Sequence, residues 1–324
     1  MLAALGCGPA QADNPDWMLF KQRFISPEGR VIDSGQGGIS HSEGQGVAML
    51  LATAQRDRTT FAGLWEWTRS HLQIRQDRLL AWRWVPGAGA DDLNNATDGD
   101  LFVAWALLRA HDQWPEAGYR ESAMAILEDV RHYLIHRDPR GPLLLPGREG
   151  FSKPEGVTVN LSYWLFPAFS EFDRALPDPL WRELGETGIN VLLEAHFGRW
   201  GLPPDWLALG EKLAPAPDRP PRFGYDAVRI PLYLLWAGQT RPELLDPFRR
   251  YWRHFEGAHF LPAWTRLDDD SVDSHDAAPG IRAVAKLTFA APGLHNTRLP
   301  PLDTTQDYFS ASLLLLSGMM RNEK

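Results

Sequence analysis

His41-Ser42-Glu43-Gly44-Gln45-Gly46-Val47-Ala48-Met49-Leu50-Leu51-Ala52 is the stretch whose reading decides the fold. Ser42 with Gln45 three residues on fits a capping box, which predicts a helix starting at Ser42. Val47 to Ala52 is apolar on every face, as in a helix buried all round. The approach, Ser34-Gly35-Gln36-Gly37-Gly38, is a turn-rich loop. Glu43 thus stands at the mouth of a buried helix, where a carboxylate also complements the helix dipole. Gly44 and Gly46 cost about 1 kcal/mol each relative to Ala in a helix. Their presence predicts that something approaches this backbone closely.

Outward from this stretch, helices of two kinds alternate along the chain. The segments 42–54, 95–110, 160–169, 225–237 and 308–320 are apolar all round. The segments 60–72, 119–135 and 242–255 are one-sided, with 16–24, 181–196 and 281–287 also helical. Strand patterns joined by hairpin turns are not evident. One layer of helices wrapped by another predicts an all-α toroid of about six inner and six outer helices. An α-solenoid is the runner-up, but no repeat of fixed period is present. No linker divides the 324 residues, so 13–324 reads as one domain.

Composition narrows the partners. The net charge of −8 offers no basic stripe for nucleic acid. Fourteen tryptophans in an acidic chain favour sugar binding beside their packing role. Residues 1–12 end in Ala10-Gln11-Ala12 and read as the remnant of a signal peptide, which predicts a periplasmic or secreted protein; the one cysteine, Cys7, lies inside that remnant. No later stretch is long and apolar enough for a membrane span. His41 beside Glu43 is an isolated pair, and the run Asp268-Asp269-Asp270 with Asp273 reads as a solvated face. No metal and no cofactor are expected.

If the buried helices run parallel, their N-termini open on one end of the toroid. The residues found at those starts are Glu43; Asp98 and Asp100; Asn160 and Tyr163; and Tyr225, Asp226 and Arg229. One acid at a helix start is a cap, but several at one mouth make an acidic cleft.

Three of these stretches resemble family 8 glycoside hydrolases: Ser42-Glu43-Gly44-Gln45-Gly46, Ala96-Thr97-Asp98-Gly99-Asp100-Leu101, and Tyr225-Asp226-Ala227-Val228-Arg229-Ile230-Pro231. They occur in order, and the likeness runs from about Trp17 to Ser317. Within the family the chain is similar to periplasmic endoglucanases encoded with bacterial cellulose synthase. The resemblance implies an (α/α)6 barrel, an inverting endo-acting cut in β-1,4-glucan, and the cellulose synthase complex as a partner. It implies Glu43 as general acid, Asp226 as general base and Asp98 as the residue that binds and distorts the sugar. Tyr163 and Arg229 match residues beside the scissile sugar and the base, and Trp82 a stacking tryptophan. Asn160 and Tyr225 complete the expected substrate-binding set. Leu161 stands where many members have proline, and the base position differs between branches of the family.

The chemistry requires a carboxylic acid at the leaving oxygen and a carboxylate to activate water. Asp98 nearby would help keep a proton on Glu43, while Arg229 would keep Asp226 ionised. An acidic cleft also suits chitosan, and xylan is a third substrate. A non-catalytic glucan-binding toroid is the alternative of a different class.

Overall fold

The structure, a computed structural model, describes residues 14–115, 118–154, 156–258, 260–302 and 307–324. The proposed signal remnant at 1–12 lies outside the described residues. In chain order the helices are α1 (Pro15–Phe24), α2 (Ser42–Ala54), α3 (Arg58–His71), α4 (Thr97–Gln113), α5 (Tyr119–Tyr133), α6 (Phe169–Ala175), α7 (Pro179–Glu194), α8 (Ile230–Trp236), α9 (Pro242–His254), α10 (Pro279–Ala290) and α11 (Tyr308–Glu323).

The two kinds of sequence pattern become two layers. Buried residues cover every face of α2, α4 and α8, because each packs on ring neighbours and on an outer helix at once. α2 packs on α4, α4 on α6, α8 on α10, α10 on α11, and α11 returns to α2. The 3-10 turn Leu161–Tyr163 packs on both α4 and α8 and closes the ring. α3, α5, α7 and α9 lie outside against α2, α4, α6 and α8, and α1 backs α11. One-sided patterns in α3 and α5 fit this outer position: Phe61, Leu64, Trp65 and Thr68 face inward in one, Ala123, Ile126, Leu127 and Val130 in the other. This is the (α/α)6 barrel that the sequence predicts, with six inner and five outer α-helices among the described residues.

The α2–α4 seam explains the glycines. A Cβ on Gly46 would stand 2.6 Å from Phe102 Cβ, and one on Gly99 would stand 2.7 Å from the Glu43 nitrogen. Those distances are shorter than real Cβ atoms tolerate, so the two helices meet at a separation only glycine allows. The sequence reading anticipated a close approach here; what approaches is α4, and at Gly44 the Tyr308 hydroxyl and the His41 ring.

Three expectations are corrected. The capping box does not form: His41 caps α2 by accepting the Gly44 N–H at Nδ1 (3.0 Å). Gln45 instead accepts from Val31 N (2.6 Å) and donates to Gly29 O and Thr68 Oγ1, tying α3 and an approach loop to α2. The predicted helix at 160–169 is broken into a 3-10 turn, Leu161–Tyr163, an extended link and then α6. Pro167 denies Phe166 the helical region, and the Asn160 side chain accepts from Ser162 N and Oγ, which favours a turn. Likewise the helix read at 225–237 starts as a 3-10 turn, Ala227–Arg229, and only becomes α8 at Ile230.

Short strands are the other difference. Eleven, each of two to four residues, form four antiparallel sheets among the described residues. Such lengths carry too few alternations for period-2 reading. They matter because they build the mouth. β1 (Ser40–His41) pairs with β2 (Arg83–Val85), and β2 with β3 (Gly89–Asp92). β4 (Ile135–Asp138) pairs with β5 (Gly141–Leu144). β6 (Ser152–Lys153), β7 (Gly156–Val159), β8 (Leu207–Leu209) and β9 (Leu213–Pro215) form one sheet in that order. β10 (Arg222–Phe223) pairs with β11 (Thr265–Arg266). Val159 faces Leu207, so Asn160 and Trp206 come out of the four-stranded sheet side by side.

Candidate active site

Three elements deliver the predicted acids to one place. Glu43 lies in the first turn of α2 and Asp98 in that of α4; Asp226 and Arg229 frame the 3-10 turn before α8. Arg229 is the hub. Its Nη1 donates to Glu43 Oε1 and lies 3.5 Å from Asp98 Oδ2. Its Nη2 donates to Asp226 Oδ1 (2.7 Å) and to Ser162 Oγ (3.0 Å). The guanidinium is nearly buried, and so is Asp98 at 2 % exposure. Glu43 and Asp226 keep 26 % and 28 % of their side chains open to the cleft. The two residues bound by different ends of one cation are thus also the two that solvent reaches.

Three carboxyls against one cation cannot all ionise cheaply. Burial, followed by the neighbouring Glu43, pushes Asp98 up to about 7 against the pull of Arg229. Burial also raises Asp226; Arg229 opposes this and Glu43 adds to it. The ion pair expected between Arg229 and Asp226 is present, but desolvation outweighs it, so the carboxyl is raised rather than lowered. Protons in this set belong to the cluster rather than to single residues.

The remaining predicted residues fall around the hub. Asn160 accepts from Ser162 through Oδ1, and its side-chain amide bears on Asp226, whose carboxylate it favours. The Tyr163 ring lies 6.0 Å from the Arg229 guanidinium and edge-on to Trp206. Tyr225 is 42 % exposed, rests edge-on against Phe309 at 5.5 Å, and has the Arg222 guanidinium 5.7 Å away. Trp82 is joined to the start of α2, its carbonyl accepting from Ser42 N (3.0 Å). Its indole donates to Asp92 (2.8 Å) and Arg83 stacks on the ring at 4.8 Å. Trp82 therefore edges the mouth from the β2–β3 hairpin and is not in contact with the hub. Asp100, the second acid of its motif, points away: it accepts from Leu80 N and Asn95 Nδ2, and burial lifts it to about 8. It is a structural acid.

A cavity of about 530 Å³ opens over the hub, lined by Glu43, Tyr225, Asp226 and Arg229 and, on its other side, by Asp33, His41 and Tyr308. The last three were not singled out as site residues from sequence. Asp205 was missed as well. Its Oδ1 accepts from Gly224 N and Ala227 N (2.8 and 2.9 Å), and its Oδ2 from Arg222 Nε (3.0 Å). It fixes the Tyr225–Asp226 turn from behind, and burial, followed by Asp226, raises it to about 6. Nothing in Pro204-Asp205-Trp206 marks it, because it starts no apolar helix.

A helical toroid whose mouth holds paired, solvent-reached carboxylates amid exposed aromatic rings has the makings of a polysaccharide-cleaving glycosidase. Residues 1–323 match the family described as glycosyl hydrolases family 8. The chain is 42% identical over 314 residues, 95% of its length and 90% of the relative's, to a probable endoglucanase of Novacetimonas hansenii. It is 39% identical over 280 residues to an endoglucanase of Cellulomonas uda, covering 85% and 77% of the two chains. It overlays an endo-β-1,4-glucanase of Acetobacter xylinum with TM-score 0.89 at 41% identity, covering 95% and 97%. The chain belongs to glycosyl hydrolase family 8.

Proposed function

We propose that this enzyme hydrolyses internal bonds of β-1,4-glucan with inversion, Glu43 acting as general acid and Asp226 as general base. The observation that carries the reading is the shared grip of Arg229 on Glu43 and Asp226, the two acids of the hub left open to the cleft. In such a reaction water attacks the anomeric carbon while the bond to the leaving oxygen breaks. Asp226 takes the proton from that water and Glu43 gives its own to the leaving sugar; solvent then restores both. Inversion needs the two carboxyls roughly 6.5–9.5 Å apart, so that water fits between base and sugar. Asp98, buried beside Arg229, serves as acceptor or donor to a sugar hydroxyl and holds the ring in its distorted form. Tyr163, Asn160, Arg229, Tyr225 and Trp82 line the path of the chain, with Tyr225 and Trp82 as stacking surfaces.

The substrate assignment is supported by the names of the relatives above. Action in the periplasm or outside the cell, beside a cellulose synthase complex, belongs to the same proposal and rests on the sequence resemblance.

Reducing-sugar release from carboxymethyl cellulose tests the reading. Release by the unaltered enzyme and its loss in both Glu43→Gln and Asp226→Asn is the expected result. Turnover of chitosan or xylan alone would move the substrate and keep the acid–base pair. Binding of cellulose without any turnover would point to the glucan-binding toroid instead.

A further inference from the structure

The wall of the cavity opposite Asp226 holds a second pair of titratable groups. Asp33 caps a 3-10 turn, Ser34–Gln36, by accepting from Gly35 N at Oδ1 (2.8 Å). Its Oδ2 accepts from Gln36 Nε2 (2.8 Å) and lies 3.2 Å from His41 Nε2. Both side chains are nearly buried, at 6 % for Asp33 and 11 % for His41. A carboxylate at Nε2 keeps the ring proton there and leaves Nδ1 as an acceptor. Nδ1 takes the Gly44 N–H (3.0 Å) and stands 3.9 Å from Glu43 Oε2. The charged or titratable groups facing His41 are Asp33 from the loop, Glu43 from its own helix start, Asp98 from α4 and Tyr308 from α11, whose ring meets the imidazole edge-on at 5.6 Å.

Ser, Thr, Asp and Asn are the usual helix caps, each needing no partner behind it. An imidazole braced by a buried carboxylate is a costlier way to cap one helix. The arrangement does something a serine cannot. It fixes the Glu43–Gly44 peptide and sets an imidazole ring, with Nδ1 at 3.9 Å, beside the oxygen of Glu43 that Arg229 does not hold. We infer that His41, oriented by Asp33, is a positioning residue for Glu43: its ring and the peptide it caps set where the carboxyl stands, leaving Arg229 to hold the other oxygen. Asp33 holds the ring proton on Nε2 and so keeps the Nδ1 lone pair on the Gly44 N–H.

The inference rests on the assignment of Glu43 as general acid, and the test separates the two. A leaving group that departs readily needs no protonation, so defects in the acid disappear on it. Activity is compared on a cello-oligosaccharide and on a dinitrophenyl cello-oligosaccharide, for the unaltered enzyme, Glu43→Gln, His41→Asn and Asp33→Asn. Asparagine at 41 retains a capping side chain. We expect His41→Asn and Asp33→Asn to lose about tenfold in kcat on the natural bond, a part of the 10²–10⁴ that general acid catalysis supplies, with kcat on the activated substrate within about threefold. The upper limb of the natural-substrate pH profile should also move in both variants. Equal losses on the two substrates, or no loss on either, would overturn the inference and leave His41 a structural cap. If Glu43→Gln itself loses equally on both, the acid assignment falls and the inference with it.

Discussion

Arg229 at the mouth and Arg109 toward the far end of the barrel are both set among carboxyls, but in opposite balance. Asp98 and Arg109 sit on the same helix, eleven residues or roughly 16 Å apart. Arg109 donates to Glu171 on α6 (2.9 Å) and to Glu323 on α11, and stacks on Trp105 at 4.6 Å. The second Glu323 oxygen accepts from the Trp236 indole on α8 (2.8 Å). Both carboxyls there are hydrogen-bonded, and four inner helices are joined by them. At the mouth one guanidinium faces three carboxyls, two of them open to the cleft, and Asp98 and Asp226 are driven upward by burial. A satisfied cluster holds the ring together. An unsatisfied one retains protons that a bound sugar can redistribute.

The sharpest break between the two ends should come from turnover. Glu43→Gln and Asp226→Asn are expected to lower kcat by about 10²–10⁴, the range for general acid–base groups, while the midpoint of denaturant unfolding stays the same or rises. A large fall in that midpoint would mean that the mouth, too, is built for stability. Next, Arg109→Met should lower stability by about 2 kcal/mol, between the values for buried and exposed pairs. The folded fraction should keep its kcat, read by activity per folded molecule during the unfolding titration.

The third expectation concerns pH. A carboxyl whose folded pKa exceeds its unfolded value stabilises the fold at low pH and loses that contribution as pH rises through the folded value. Asp98, raised from 3.8 to about 7, therefore makes stability decline between about pH 4 and 7. Asp98→Asn should flatten the decline, measured by unfolding at both ends of that window, and should cost turnover as well. An unchanged slope would remove Asp98 from the shared-proton set. The smallest effect belongs to the rim. Tyr225→Ala removes an exposed ring from the cleft wall, and KM should rise about three- to tenfold with kcat nearly constant, as for an aromatic contact of roughly 1 kcal/mol.

The mouth was legible in sequence because several acids fall at the starts of apolar helices, more than the capping of one helix calls for. Glu43, Asp98, Asp226 and Arg229 are all found that way, and the two-layer fold follows from the same apolar runs. Asp205, Asp33 and His41 act across loops, where spacing in the chain carries no geometric meaning. Gln45 misled for a physical reason: a side chain that fits a capping box is equally able to bond a neighbouring loop, and only the packing of α3 decides. The 3-10 turns at 161–163 and 227–229 were hidden inside runs apolar enough for helix, since burial and helicity leave the same imprint.

The glycines of the α2–α4 seam carry a consequence for how this enzyme tolerates change. Glu43 and Asp98 are spaced by atoms that are absent, for a single methyl at Gly99 would press on the Glu43 nitrogen itself. Much of the cleft rim, by contrast, is made of loops and turns, such as residues 33–41 and 222–226, set beside the helical wall of α11. Inheritance can therefore act on the two parts separately. Rims are free to lengthen, shorten or trade aromatic rings and so admit another polymer, whereas the gauge between the acids has no adjustable setting.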